Sequence, residues 1–329
     1  MAFTPNASAT RTVGIAKQTA FGTPAASPTY FLRVTSFEGT VDAKTLKDGA
    51  FTGDFAENHQ AVPGTSHFTI DGKGSIYLDT VGFFLAGVLG GVANFTAGVN
   101  PAPNTWDLAL TESEPSYYTM FDKTAAGVFV YQDIAFSDLT LSGSTDKLAE
   151  ISFKGTGTQV TSGTATASFT TELPMTHWGS TVSVGASSGA AVVATSADWS
   201  FDIKRELHIT PGGGGSRYPQ AITPTTCTVT GKVTATVNGT DLSEHTAYLA
   251  GTARYVSVSL SNGGTESLKA EFLNAYYDAN PVKVGTMKDV ITWEGDFEGV
   301  AAPTTLTGAS GLSSPVQITL LNMVPTGTY

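Results

Sequence analysis

From Phe68 to Leu78 the residues alternate. Phe68, Ile70, Gly72, Gly74, Ile76 and Leu78 fall on one side of an extended chain, and Thr69, Asp71, Lys73, Ser75 and Tyr77 on the other. From Cys227 to Asn238 the pattern recurs, with Cys227, Val229, Gly231, Val233, Ala235 and Val237 against Thr228, Thr230, Lys232, Thr234, Thr236 and Asn238. Successive side chains of a strand point to opposite faces, so each stretch predicts a long strand with one buried and one wet face. At about 3.3 Å per residue each would span on the order of 35 Å. A slip of one residue would turn the apolar set to solvent, which fixes the register.

The same patterning predicts a first strand over Tyr30–Val41, further strands over Trp106–Leu110, Ser116–Asp122, Val128–Tyr131, Asp138–Ser142 and Leu148–Lys154, and a later set over Tyr255–Leu260, Leu268–Leu273, Val290–Phe297 and Val316–Leu321. A short helix follows each long strand. The first presents Val81, Phe84, Leu85 and Val88, with Asp79 or Thr80 as its cap; the second presents Ala247, Tyr248 and Leu249, with Ser243 as its cap. Gly87 and Gly251 stand where helix stops belong. Two polar stretches, 42–64 and 204–224, read as long loops, and loops of that length are usually functional.

These landmarks recur in one order. Ser36-Phe37-Glu38, Gln60-Ala61-Val62-Pro63, the first long strand and Leu85-Ala86-Gly87 match Ser200-Phe201-Asp202, Gln220-Ala221-Ile222-Thr223-Pro224, the second long strand and Leu249-Ala250-Gly251, about 160 residues further on. The expected organisation is an N-terminal arm over 1–29, a first domain over 30–158, bridging strands over 159–196 and a second domain over 197–329. Residues 155–197 hold a single charged residue, Glu172, which marks the junction. Thr, Ser and Val are plentiful, glycines number 36, and charged residues make up 14 %. The expected fold class is all-β, two tandem β-sandwich or barrel domains with one short helix per repeat.

The net charge of −11 disfavours nucleic-acid binding by counterion release, which needs clustered Lys and Arg. The single Cys227 rules out an internal disulfide framework and is expected to be a buried filler. No apolar leader and no run of about 18 apolar residues is present, which predicts a soluble intracellular product. The five histidines form no ligand pair, and no nucleotide, phosphate-loop or nucleophile-elbow motif occurs, so neither cofactor nor enzymatic activity is expected. Glu112 and Glu114 precede Pro115 and read as solvated loop charges, and Gly212–Gly215 as a loop tip.

Other segments carry a resemblance. Val13-Gly14-Ile15-Ala16-Lys17-Gln18-Thr19-Ala20-Phe21-Gly22-Thr23-Pro24, the two Gly-Lys strands, Leu268 to Ala275, Trp293-Glu294-Gly295 and Pro315 to Asn322 are similar to the tail tube (major tail) proteins of long, non-contractile-tailed bacteriophages. The resemblance implies a structural virion protein of the tail, assembled in the host cytoplasm. Its partners would be other copies of itself, the tape-measure, terminator and distal tail proteins, and DNA passing non-specifically through the lumen, with no membrane. Two tube domains per chain imply a trimeric ring of pseudo-sixfold symmetry. The candidate lumen-facing residues are Thr69, Asp71, Lys73, Ser75, Thr228, Thr230, Lys232 and Thr234. The candidate ring-stacking residues are Lys44, Lys47, Asp54, Glu57, Arg205, Glu206, Arg217 and Tyr218. The competing readings are a carbohydrate-binding or adhesin β-sandwich, which would show clustered exposed Trp or Tyr, and a β-sandwich hydrolase.

Overall fold

The computed structural model describes residues 11–48, 60–99, 102–111, 116–236, 243–261, 263–283, 292–306 and 311–329. β1 (Thr12–Lys17), β2 (Tyr30–Leu32), β3 (Val34–Asp48) and β4 (Gln60–Ser75) lead into helix α1 (Val81–Leu89). β5 (Asn94–Thr96), β6 (Asn104–Ala109), β7 (Tyr118–Thr124), β8 (Gly127–Gly143), β9 (Glu150–Gly157) and β10 (Val160–Gly163) follow. Next come β11 (Ser180–Gly185), β12 (Val192–Val193), β13 (Thr195–Thr210), β14 (Ala221–Thr236), helix α2 (Ser243–Ala250), β15 (Arg254–Ser261) and β16 (Ser267–Tyr277). β17 (Val282–Lys283), β18 (Thr292–Gly299), β19 (Ala302–Pro303), β20 (Ser313–Ser314) and β21 (Gln317–Asn322) close the chain. The fold is all-β, as the alternating patterns predict.

One run of pairings organises the molecule. β3, β4, β9, β8, β13, β14 and β18 hydrogen-bond in that order, all antiparallel. The joint between the first and second parts of the chain is β8 against β13, from Asp138↔Lys204 to Gly143↔Trp199. A second joint comes from the far end of the chain, where β21 pairs with β6. Among the described strands the sheet stays open and no barrel closes. On its inner face Phe272 of β16 lies edge-on to Phe201 of β13 and Phe297 of β18. Buried side chains from Val13 to Tyr329 form one contiguous core that spans both halves.

Helix α1 is buried on every side. Its glycines let large rings approach: a methyl at Gly82 would overlap Tyr329, and one at Gly87 would overlap Phe136. Phe84 stacks on Phe153 with centroids 4.3 Å apart. Gly87 is therefore a packing residue, and the helix stop is Gly90, left-handed at φ 95°. Thr80 is the N-cap but its side chain makes no capping hydrogen bond. Asp79 does not cap either; one of its oxygens accepts from Thr170. α2 differs. Only Ala247 is buried and Leu249 is exposed, contrary to the expected apolar face, while the left-handed Gly251 ends the helix as expected.

Three further expectations change. The stretches 42–64 and 204–224 are mostly strand rather than loop, because β3–β4 pairing continues to Asp48↔Gln60 and β13–β14 pairing to Thr210↔Ala221. Polar residues outnumber apolar ones there, since both faces of the β3–β4 extension are largely wet and the period-two signal vanishes. Thr12–Lys17, read as part of an arm, is a strand paired with β2 and β7, with Val13, Ile15 and Ala16 buried. Cys227 is half-buried, and burial raises its thiol pKa.

Candidate functional surface

The outer face of the seven-strand sheet collects the polar positions of both long strands. In an antiparallel pair, residues directly opposite share a face, so the register defines rows across the sheet. One row runs Glu38, Asp71, Lys154, Asp138, Lys204, Thr228. The next runs Ser36, Lys73, Ser152, Thr140, Asp202, Thr230, Glu298. A third runs Ser75, Glu150, Ser142, Ser200, Lys232, Asp296, and a fourth Asp198, Thr234, Glu294. Thr69 lies beside Thr40 and Thr156 on the same face.

All eight residues predicted for a wet face thus occupy one surface. Thr69, Asp71, Lys73, Thr228, Thr230 and Lys232 are exposed, and Ser75 and Thr234 are half-exposed. Behind them, Gly72 and Gly231 sit opposite Phe153 and Phe297, and a methyl on either glycine would overlap the facing ring. The two strands therefore carry the same Gly-over-Phe arrangement below the same Lys.

The four rows hold nine carboxylates (Glu38, Asp71, Asp138, Glu150, Asp198, Asp202, Glu294, Asp296, Glu298) and four lysines (Lys73, Lys154, Lys204, Lys232), a formal charge of −5. Lys73 pairs with Glu150 at 2.9 Å, Lys154 with Asp71 at 3.7 Å, and Lys232 with Glu294 and with Asp296 at 3.8 Å. The hydrogen bond to Glu294 raises the Lys232 pKa, so that lysine stays charged. Each lysine in these pairs is tied to a carboxylate, which lowers its pull on a passing phosphate. Reasoning from the long strands alone missed Lys154, Asp138, Asp202 and Glu298. The signal for Asp138 and Glu298 was present in Asp138-Leu139-Thr140-Leu141-Ser142 and Glu294-Gly295-Asp296-Phe297-Glu298, and that for Lys154 and Asp202 in Glu150-Ile151-Ser152-Phe153-Lys154 and Ser200-Phe201-Asp202-Ile203, whose alternation is as regular.

The hairpin residues separate. Lys44, Lys47 and Glu206 are exposed. Arg217 and Tyr218 lie half-buried in the turn between β13 and β14, with the guanidinium 5.9 Å from the tyrosine ring. The Arg217 carbonyl accepts from Ser66 N–H at 2.9 Å, so the two hairpins touch. Arg205 points inward instead. It is buried, and its Nη1 donates to the Val88 carbonyl at the C-terminus of α1, at 3.0 Å. Asp54, Glu57, Glu112 and Glu114 lie outside the described residues.

Among the described residues no group of His, Cys, Asp and Glu is arranged to hold a metal, and no helix is long and apolar enough to cross a membrane. Trp106, Trp199 and Trp293 are buried and Trp178 is exposed, so the described surface carries no cluster of tryptophans. A family model described as phage tail tube protein matches residues 8–315. The comparison with curated proteins finds no match.

Proposed function

We propose, from the premise that this chain belongs to the phage tail tube protein family, that the outer face of the seven-strand sheet is the lumen wall of the tail tube. As a member of that family it is a structural component of the virion tail. The observation that carries the finer reading is the β8–β13 joint. It sets the wet faces of β4 and β14 side by side on one continuous surface, so each chain would supply two neighbouring wall segments. The matched Gly72–Phe153 and Gly231–Phe297 pairs support equivalent roles for the two strands.

Three such chains would make a ring of six segments, and the edges that the open sheet leaves unpaired would be covered by neighbours. The rings stack, with the β3–β4 and β13–β14 hairpins reaching between them. Genome DNA then passes a wall rich in threonine and carboxylate that holds phosphate weakly. The unequal helices fit a threefold ring, since α1 is enclosed within its own chain while α2 is exposed.

Negative-stain microscopy of the concentrated protein, followed by mass measurement of isolated rings, tests this. Rings or tubes of three chains per ring are expected. A particle that stays monomeric at high concentration overturns the tube reading, and a six-chain ring overturns the trimer.

A further inference from the structure

The end of the sheet opposite the hairpins carries an acidic cavity of about 380 Å³, lined by Tyr30, Asp79, Glu172, Glu266, Met323 and neighbours. Glu172, the lone charge of the bridging segment, accepts backbone N–H bonds from Leu78 at 3.0 Å and Asp79 at 2.9 Å. Asp79 is 7 % exposed; one oxygen accepts from Thr170, and the other, Oδ1, is buried without a partner. Among the described residues three carboxylates line the cavity and no cation does; Arg33 reaches its rim through hydrogen bonds to Thr170. Burial and the neighbouring Asp79 push the Glu172 pKa up to about 8. Leu173, 70 % exposed, follows Glu172 in the chain, and Met323, 51 % exposed, lines the cavity.

The β3–β4 hairpin carries the complement. A methyl on Gly64 would lie 3.2 Å from both Lys44 Cβ and Leu46 Cγ, so these side chains share a face, and Leu46 sits directly opposite Val62. Leu46 and Val62 are 57 % and 53 % exposed. One face of the hairpin therefore shows a lysine beside two bare aliphatic side chains. The two features cannot meet within one chain. β4 runs from the hairpin to Ser75, and Asp79 lies just beyond, a separation on the order of 45 Å.

We propose that Lys44 of a second copy enters this cavity and that Leu46 and Val62 of its hairpin cover Leu173 and Met323. The lysine brings a positive charge to the cavity's three carboxylates. The contact joins unlike ends of two copies, so it repeats without closing, as a stack of rings requires. It rests on the stacking reading above and names the surface that reading leaves open.

The test is a disulfide. In a Cys227→Ala background carrying Leu46→Cys and Leu173→Cys, which keeps Lys44, oxidation of assembled protein should give a ladder of covalent multimers. Each single-cysteine control should stop at the dimer. Tubes that form without a ladder overturn this contact and leave the tube reading standing; no tubes and no ladder overturn both. Charge reversal gives a second measure in the unmodified chain. Lys44→Glu and Glu266→Lys should each cut the assembled fraction about tenfold or more, with unchanged circular dichroism, and the double variant should recover it. Singles that assemble like the parent overturn the contact.

Discussion

Gly72 and Gly231 explain why each long strand places glycine before lysine. The glycine leaves room for Phe153 or Phe297 across the ladder, and the lysine lies on the opposite, wet face. Gly72→Ala or Gly231→Ala overpacks the ring below and should cost about 1–3 kcal/mol. Gly264→Ala, where the added carbon meets nothing within 4 Å, should stay within about 0.5 kcal/mol. Urea titrations of the three variants decide this. Glu172 gives a pH signature. Its native pKa is raised from 4.5 to about 8, so the folded chain holds a proton that the unfolded chain releases. That contribution is fully present below pH 4.5 and is lost as pH rises toward 8. Glu172→Gln keeps an acceptor for the backbone donors and removes the titration. Its melting temperature should rise relative to the parent as pH climbs through that window. A difference that stays flat with pH rejects the assignment.

At the scale of elements, Arg205 shows how far the sequence could be read. In a polar stretch it reads as a surface charge, yet β13 continues through it and its alternate side turns inward beneath α1. There it meets carbonyls that a helix C-terminus leaves unpaired and negative. Arg205→Met should cost about 1–3 kcal/mol by urea unfolding, while Glu206→Gln, on the exposed side, should change little. The half-buried strands were legible because one face needs apolar residues. The β3–β4 extension was not, since a strand wet on both faces writes no alternation into the chain, and along β13 a charged Arg205 interrupts the inward apolar side. α1 and α2 differ legibly. Both follow a long strand, but β6, β8 and β13 touch α1 while α2 lies on the surface, a difference written into their composition: α1 is apolar throughout, whereas α2 carries Ser243, Glu244, His245 and Thr246. The joint between β8 and β13 was hidden, because pairing partners far apart in sequence leave no periodicity of their own.

At the scale of the whole molecule, the sign and arrangement of charge across seven strands set what the outer face can hold. A wall facing DNA must repel or ignore phosphate, and here nine carboxylates surround four lysines, three of them tied into ion pairs. Reversing that balance should expose the role. The triple variant Asp71→Lys, Asp202→Lys, Glu298→Lys changes half-exposed or exposed positions away from the core, so it should fold and assemble like the parent. Inside the assembled tube it should hold short duplex DNA, and log K should fall with log salt at a slope of about −0.9 for each phosphate neutralised. The parent tube should show no such binding under the same conditions. An equal number of lysines placed on the α2 side, away from this face, is the control: if those tubes retain DNA inside as well as the triple variant does, the seven-strand face is not the wall. If the triple variant binds DNA only on the outside of the tube, as seen by nuclease sensitivity of the bound duplex, the sheet is turned the other way and its polar rows face solvent.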